Sequence, residues 1–212
     1  MSKNIVVIDY GMGNLHSVTN ALEFIGAKNT LSTSISDLET ADAIILPGVG
    51  AFPDASDRLY ESGYADKIIS LSKQGMPLLG ICLGMQLLLN SSDEVRFSRG
   101  LGLIEGHCER IADTGLKIPH IGWNDLTVDD KSCPILKNTK DGECVYFVHS
   151  YKAVLKNREN LAAHTVYGEE IPAVIQNANV FGAQFHPEKS QNTGLEMLRA
   201  FCDFAGIEHT GR

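Results

Sequence analysis

Cys82 stands between two glycines in the stretch Pro77-Leu-Leu-Gly80-Ile-Cys82-Leu-Gly84-Met-Gln86-Leu-Leu-Leu89. An apolar run of strand length, Leu78 to Ile81, meets the thiol, and an apolar run of helical length follows to about Asn90. This predicts a strand, a sharp turn and a helix, with cysteine where serine stands in the G-x-S-x-G nucleophile elbow. Glycine on either side suits such a turn, because a Cβ there would collide with the neighbouring backbone. The unpaired N–H groups of a helix start favour a thiolate at that place. A buried core cysteine beside two packing glycines would show the same pattern, so the elbow needs further support.

A nucleophilic cysteine needs a base, and the base needs an acceptor to orient it. His186-Pro187-Glu188 offers both at the end of the apolar run Val180 to Phe185. Residues i and i+2 of an extended segment point to the same side, and Pro187 biases His186 toward the β region. The carboxylate can then select the imidazole tautomer. The competing reading is a surface His-Pro-Glu turn. His149, after an apolar strand, either lines the same pocket or satisfies the core, and His120 sits beside Trp123. His16, His107, His164 and His209 have no partner pattern and read as surface or core residues. No histidine set has metal-ligand spacing with a cysteine or carboxylate, so neither a metal nor a cofactor is expected.

The elements that must position these groups follow the chain. Ile5 to Ile8 reads as a buried parallel strand, followed by the loop Asp9-Tyr-Gly-Met-Gly-Asn14 and a helix from Leu15 to about Gly26. A dinucleotide fingerprint would need glycine at position 16, which is His16. Asn29 to Ser32 is a weak second strand, Asp37 to Thr40 a helical turn and Ala41 to Leu46 a third strand. That strand runs into Pro47-Gly48-Val49-Gly50, where proline ends pairing and two glycines free the backbone. The functional reading is a backbone amide able to turn toward a reaction centre, and the bland one is an ordinary βα turn. Ala51 to Gln74 reads as mostly helix.

This β-α-β-α-β-α-β-α order predicts an open, largely parallel central sheet flanked by helices. The second half predicts an antiparallel extension, with loop and strand over Arg99 to Ile111 and a loop over Lys117 to Asn124. Short, meandering antiparallel strands are expected at Leu126 to Val128, Glu143 to His149, Lys152 to Leu155, Ala162 to Tyr167, Ala173 to Ala178 and Val180 to Phe185. Thr193 to Ala205 reads as a last amphipathic helix with a loose tail. No repeat or linker interrupts the chain, so residues 1–212 read as one domain.

Composition narrows the function classes. A chain of 212 residues with 43% hydrophobic and 21% charged residues suits one full-sized α/β domain. A net charge of −8 with no Lys/Arg cluster disfavours nucleic acid. Five widely spaced cysteines without a C-x-x-C argue against disulfides and structural zinc. The sequence shows neither a secretory leader pattern nor an 18-residue apolar stretch. A reducing, cytoplasmic location without membrane contact is therefore expected.

Taken together, Gly80-Ile-Cys82-Leu-Gly84-Met-Gln86 and His186-Pro-Glu188 resemble the class I glutamine amidotransferases with a Cys-His-Glu triad. Further stretches bring the resemblance closer, to the glutaminase subunits of imidazole glycerol phosphate synthases: Asp9 to Leu15, Leu46 to Phe52, Gly100 to Ile104, Pro119 to Asn124, Tyr146 to Tyr151 and Phe185 to Ser190. The similarity runs from about Ile5 to Phe204.

The resemblance implies that Cys82 attacks the side-chain amide of L-glutamine and forms a γ-glutamyl thioester, that His186 moves the protons and that Glu188 orients it. It implies an oxyanion hole built from the Leu83 amide and an amide of the Gly48-Val49-Gly50 strand, at Val49 or Gly50, which reorients for activity. Gly48, Gln86, His149, Ser150 and Tyr151 would contact glutamine. Ammonia would pass to a (β/α)₈-barrel cyclase subunit in a heterodimer, with Asn14, Trp123, Tyr146 and Lys189 at or near the partner-facing surface. The pathway implied is histidine biosynthesis. Asn90 to Ser98 departs from the family's more acidic and aromatic stretch, which affects the placing of Arg96 and Arg99, and Ile121 stands where methionine is common. A paralogous glutaminase feeding another barrel synthase and a stand-alone cysteine hydrolase are the competing readings.

Overall fold

The computed structural model describes residues 3–210. Four-residue apolar runs build the centre of the sheet. In chain order the first half comprises β1 (Ile5–Ile8), α1 (Leu15–Phe24), β2 (Asn29–Ser32), β3 (Ala43–Leu46), α2 (Phe52–Glu61), α3 (Tyr64–Lys73), β4 (Leu78–Ile81) and α4 (Leu83–Leu87). The second half comprises β5 (Ser91–Ser92), β6 (Ser98–Arg99), β7 (Gly106–Arg110), β8 (His120–Asp125), β9 (Thr127–Val128), β10 (Cys144–His149), β11 (Tyr151–Leu155), β12 (Leu161–Val166), β13 (Glu170–Asn177), β14 (Val180–Ala183) and α5 (Gln191–Ala205).

β1, β3 and β4 are buried at every position, as strands covered on both faces must be. They lie in an eight-stranded sheet of order β2-β1-β3-β4-β14-β13-β12-β9. The first five strands are parallel and the last three antiparallel to their neighbours. Alternation along β1 divides the core between the two faces. Ile5 and Val7 pack with Leu22 of α1 and Phe201 of α5, whereas Val6 and Ile8 pack with Leu59 of α2 and Ile68 of α3.

The mixed α/β class and its mainly parallel centre agree with the sequence, and several details correct it. The helix expected over residues 51–74 is broken at Gly63, whose φ of +78° ends α2 and starts α3. The helix after Cys82 has only five residues. The Leu101 amide takes the Leu87 carbonyl (2.7 Å), and those of Leu103 and Ile104 take Leu88 (2.9 and 3.1 Å), so the 100–104 loop occupies the acceptors that would continue the helix. The predicted loop over 117–124 contains a strand, because β8 pairs antiparallel with β10 from His120–His149 to Asp125–Cys144. β14 does not belong to an antiparallel meander alone: it runs parallel to β4, with Val180 opposite Leu78 and Ala183 opposite Ile81. The tail is tied down as far as Thr210, whose amide and hydroxyl both donate to the Ile25 carbonyl (2.7 and 2.8 Å). Gly211 and Arg212 lie outside the described residues. No helix among the described residues is long and apolar enough to cross a membrane.

Candidate active site

The parallel arrangement of β3, β4 and β14 brings three chain segments to one sheet edge, at the carboxyl ends of the strands where open α/β sheets place their sites. Cys82 follows β4 with φ 55° and ψ −111°, a region that costs an L-residue about 1–3 kcal/mol and persists only where the surroundings enforce it. The enforcement is visible. The Cys82 amide donates to Ala183 O of β14 (2.7 Å). A Cβ on Gly80 would come 2.6 Å from Gly84 O, and one on Gly84 only 1.8 Å from Leu46 O. Both glycines are therefore required by close backbone approach, as the sequence indicated, and the obstacle at Gly84 is the exit of β3. With α4 only five residues long, little of a helix macrodipole is left to act on the thiol.

His186 lies directly after β14 with φ −98° and ψ 100°, the extended conformation expected before proline. The chain does not stay extended: residues 187–189 form a single 3₁₀ turn. This turn, rather than β alternation, sets Glu188 Oε1 2.8 Å from His186 Nδ1. Nδ1 thus carries hydrogen, and Nε2 is buried without a hydrogen-bond partner. Burial pushes the imidazole pKa down, but the Cys82 sulfur, acting from outside hydrogen-bond geometry, and the Glu188 carboxylate together raise it to about 9. The turn is braced from both sides. The Ser190 hydroxyl donates to His186 O (2.6 Å) and accepts from Tyr146 N (3.0 Å), and His186 N donates to Tyr146 O (3.0 Å).

Cys82 and His186 line a cavity of about 290 Å³ together with Val49, Gly50, Leu83, Gln86, Glu94, Pro119, Val148, His149, Ser150 and Tyr151. Nine of the expected site residues are therefore brought together there. Glu188 stands behind His186. Gly48 is buried outside the cavity wall, wedged so that a Cβ would meet the Tyr10 hydroxyl at 2.8 Å and Leu83 Cβ at 2.9 Å. Gln86 donates to Tyr151 O (3.0 Å) and to Gln184 Oε1 (3.1 Å), so both hydrogens of its amide are committed to the wall. The strand exit has one bonded and one exposed part. Tyr10 Oη donates to Pro47 O (3.0 Å), whereas Val49 is 41% exposed and Gly50 has φ +101°.

Three polar residues of the site escaped the sequence reading. Gln184 is fully buried and directs Nε2 at the Cys82 sulfur (3.9 Å); a polar residue in the apolar run 180–185 was the available signal. Tyr10 sits in the first loop, and Glu94 lines the cavity while its Oε2 accepts from the Phe52 amide at the start of α2. Of the expected partner-facing residues, Trp123 is half exposed and packs edge-on against Tyr146 (5.9 Å between ring centroids) across the β8–β10 pair. Lys189 is exposed beside the His186 turn, and Asn14 is the residue before α1. Among the described residues, no group of three or more His, Cys, Asp or Glu side chains converges as a metal would require.

Comparison with known proteins places this arrangement. The glutamine amidotransferase class-I family matches residues 6–204. The imidazole glycerol phosphate synthase subunit HisH of Listeria innocua is 48% identical over 198 residues, covering 93% of this chain and 94% of that protein. The HisH subunit of Caldanaerobacter subterraneus is 48% identical over 197 residues, covering 93% and 96%. Among solved structures, that of PurLQS from Thermotoga maritima superposes with a TM-score of 0.77 at 22% identity over 96% of this chain and 99% of its own, a likeness of fold. A strained cysteine beside a His-Glu pair, on a chain so similar to these subunits over nearly its whole length, leads to one assignment: the protein belongs to the class-I glutamine amidotransferases and, within them, to the HisH family of imidazole glycerol phosphate synthase subunits.

Proposed function

We propose that this glutamine amidotransferase is the glutaminase subunit of an imidazole glycerol phosphate synthase, acting in the cytoplasm in histidine biosynthesis. The observation that carries the proposal is the convergence, in one cavity, of a strained Cys82 with the paired His186 and Glu188. Cys82 gives its proton to His186 and attacks the side-chain amide carbon of L-glutamine. The tetrahedral oxyanion is stabilised by the Leu83 amide and by an amide at Val49 or Gly50. His186 passes the proton to the departing nitrogen, which leaves as ammonia, and a γ-glutamyl thioester remains. Water then attacks the thioester, His186 takes its proton and returns it to the sulfur, and glutamate is released. Glu188 holds the imidazole in the Nδ1–H tautomer throughout.

Ammonia passes to a (β/α)₈-barrel cyclase subunit docked against half-exposed Trp123 and the partly buried Tyr146 beside it, with Asn14 and Lys189 near them. Gly48 shapes the strand exit, and glutamine contacts fall to Gln86 and the 149–151 wall. Among the described residues the Val49 and Gly50 amides donate no hydrogen bond, which supports a donor strand that turns when the partner binds. Loss of one oxyanion donor typically lowers kcat about 10²–10³-fold, so such a strand is an effective switch.

The test is co-purification with the cyclase, followed by glutaminase assays with and without the cyclase nucleotide. A stable heterodimer, stimulated hydrolysis and a loss of roughly 10³-fold or more in Cys82→Ala are expected. Unchanged ammonia production by Cys82→Ala, or no association with the cyclase, would overturn the proposal.

A further inference from the structure

Asn124, His120 and His149 form a hydrogen-bond chain that admits one arrangement of protons. The Tyr151 carbonyl can only accept, so His149 Nδ1, 2.9 Å away, carries hydrogen. His149 Nε2 lies 3.1 Å from His120 Nδ1. A neutral His149 accepts there, and His120 Nδ1 donates. His120 Nε2 is then an acceptor, and Asn124 Nδ2 faces it at 3.5 Å. The Asn124 amide is oriented independently, because Nδ2 donates to Val166 O (3.0 Å) and Oδ1 accepts from the Asp125 amide (3.0 Å). An extra proton on either ring would set two donors against each other somewhere along the chain.

The rings have little room to escape. His120 is stacked between Phe147 (4.8 Å) and Tyr167 (4.0 Å), and both histidines are buried. Burial pushes each pKa down to about 4. The titratable groups around the pair are Cys82, His186, Glu94 and Tyr151, which share the cavity with His149, and Tyr167 behind His120. Among the described residues no carboxylate bonds either ring. Both nitrogens of His149 are occupied, so its side chain offers glutamine no N–H and cannot serve as a second base. Its structural output is the Tyr151 carbonyl, which it holds jointly with Gln86.

We propose that His120 is a positioning residue for glutamine turnover: it fixes His149 as the neutral Nδ1–H tautomer, which holds the 149–151 wall of the cavity and keeps a second cation away from His186. The inference rests on the glutaminase reading.

The experiment uses the full chain with its cyclase partner. His120→Phe keeps a ring in the stack and removes the donor, whereas His120→Asn places an amide N–H near the position of Nδ1. His120→Phe is expected to raise the glutamine KM about tenfold with a smaller change in kcat. It is also expected to add an ionisation to the acid limb of kcat/KM, because His149 Nε2 is then free to protonate. His120→Asn recovers both. Nitrogen-15 spectra of the wild-type histidines should show His149 neutral and protonated on Nδ1 from pH 5 to 8.

A charged His149, or its Nε2–H tautomer, at pH 7 would overturn the proposal. So would a His120→Phe variant that loses kcat alone while KM and the pH profile stay unchanged, the signature of a purely structural role. The glutaminase reading is checked separately by labelling Cys82 with an electrophilic glutamine analogue. Its failure leaves the tautomer measurement intact, so the two results are distinguishable.

Discussion

Removing the Cys82 sulfur should change the ionisation of a residue on another segment of the chain. His186 is 2% exposed, and burial alone would favour its neutral form. Its pKa nevertheless rises from 6.5 to about 9, because Cys82 and Glu188 both favour the imidazolium. That rise corresponds to about 3 kcal/mol of preference for the charged ring. In Cys82→Ala only Glu188 opposes burial, so the pKa should fall by about one unit or more, about 1.4 kcal/mol. The folded-state value lies above the unfolded one. The imidazolium therefore contributes its full stabilisation below pH 6.5 and loses it as pH rises through about 9. In the variant, this loss should finish at lower pH. Histidine NMR titration between pH 5 and 10 reads the first effect, and denaturant midpoints over the same range read the second. A His186 that titrates near 6.5 in both proteins, with parallel stability curves, would refute the coupling between sulfur and imidazole.

Other substitutions probe the supports of the site. Gly84→Ala places a Cβ 1.8 Å from Leu46 O; relieving it means moving the β3 exit, so stability should fall by about 1–3 kcal/mol and glutaminase kcat by about 10²-fold, while a variant with wild-type kcat would show that the exit can move freely. Tyr10→Phe removes the hydroxyl that donates to Pro47 O and should cost about 1–2 kcal/mol in urea unfolding; an unchanged midpoint would mean that another donor replaces it. Trp123→Ala should weaken association with the cyclase by about 2 kcal/mol or more, measured by titration calorimetry, and leave the unfolding midpoint almost unchanged, because the ring is half exposed.

What could be read from the sequence was what local chemistry dictates. Runs such as Ile5-Val-Val-Ile8 and Ala43-Ile-Ile-Leu46 are too uniformly apolar to face water on either side, and they became central strands. The glycines around Cys82 were legible because the reason for them, close backbone approach, is short-range. β8 was not legible: Gly122, with φ +139°, interrupts its pattern, and its pairing with β10 comes from a distant segment. The brevity of α4 was hidden for the same reason, since the groups that end it belong to residues 101–104. Gln184 looked like a strand residue and proved to be a buried polar contact to the thiol. His120 read as a neighbour of Trp123, yet its partners lie on β10 and near Tyr167.

The site is unevenly held, and that unevenness bears on control. On the histidine side the turn and the His186–Glu188 pair are braced. Glu188 fixes His186, Ser190 and the Tyr146 main chain fix the turn, and Gly80 and Gly84 let the elbow seat against β3. On the opposite side Pro47 is pinned by Tyr10, but Val49 and Gly50 beyond it are exposed. The proposed triad is thus braced by hydrogen bonds, whereas among the described residues the Val49 and Gly50 amides donate none. Ile121 and Trp123, both exposed on β8, lie opposite Val148 and Tyr146 of β10, and Val148 lines the same cavity as Val49. A partner covering this face would meet a strand pair that forms part of the wall of the cavity Val49 also lines. If the Val49–Gly50 strand supplies the proposed oxyanion donor, regulation placed there would alter oxyanion stabilisation and leave the proposed triad assembled, so the uncomplexed chain should still react with an electrophilic glutamine analogue at Cys82 even where its turnover of glutamine is slow.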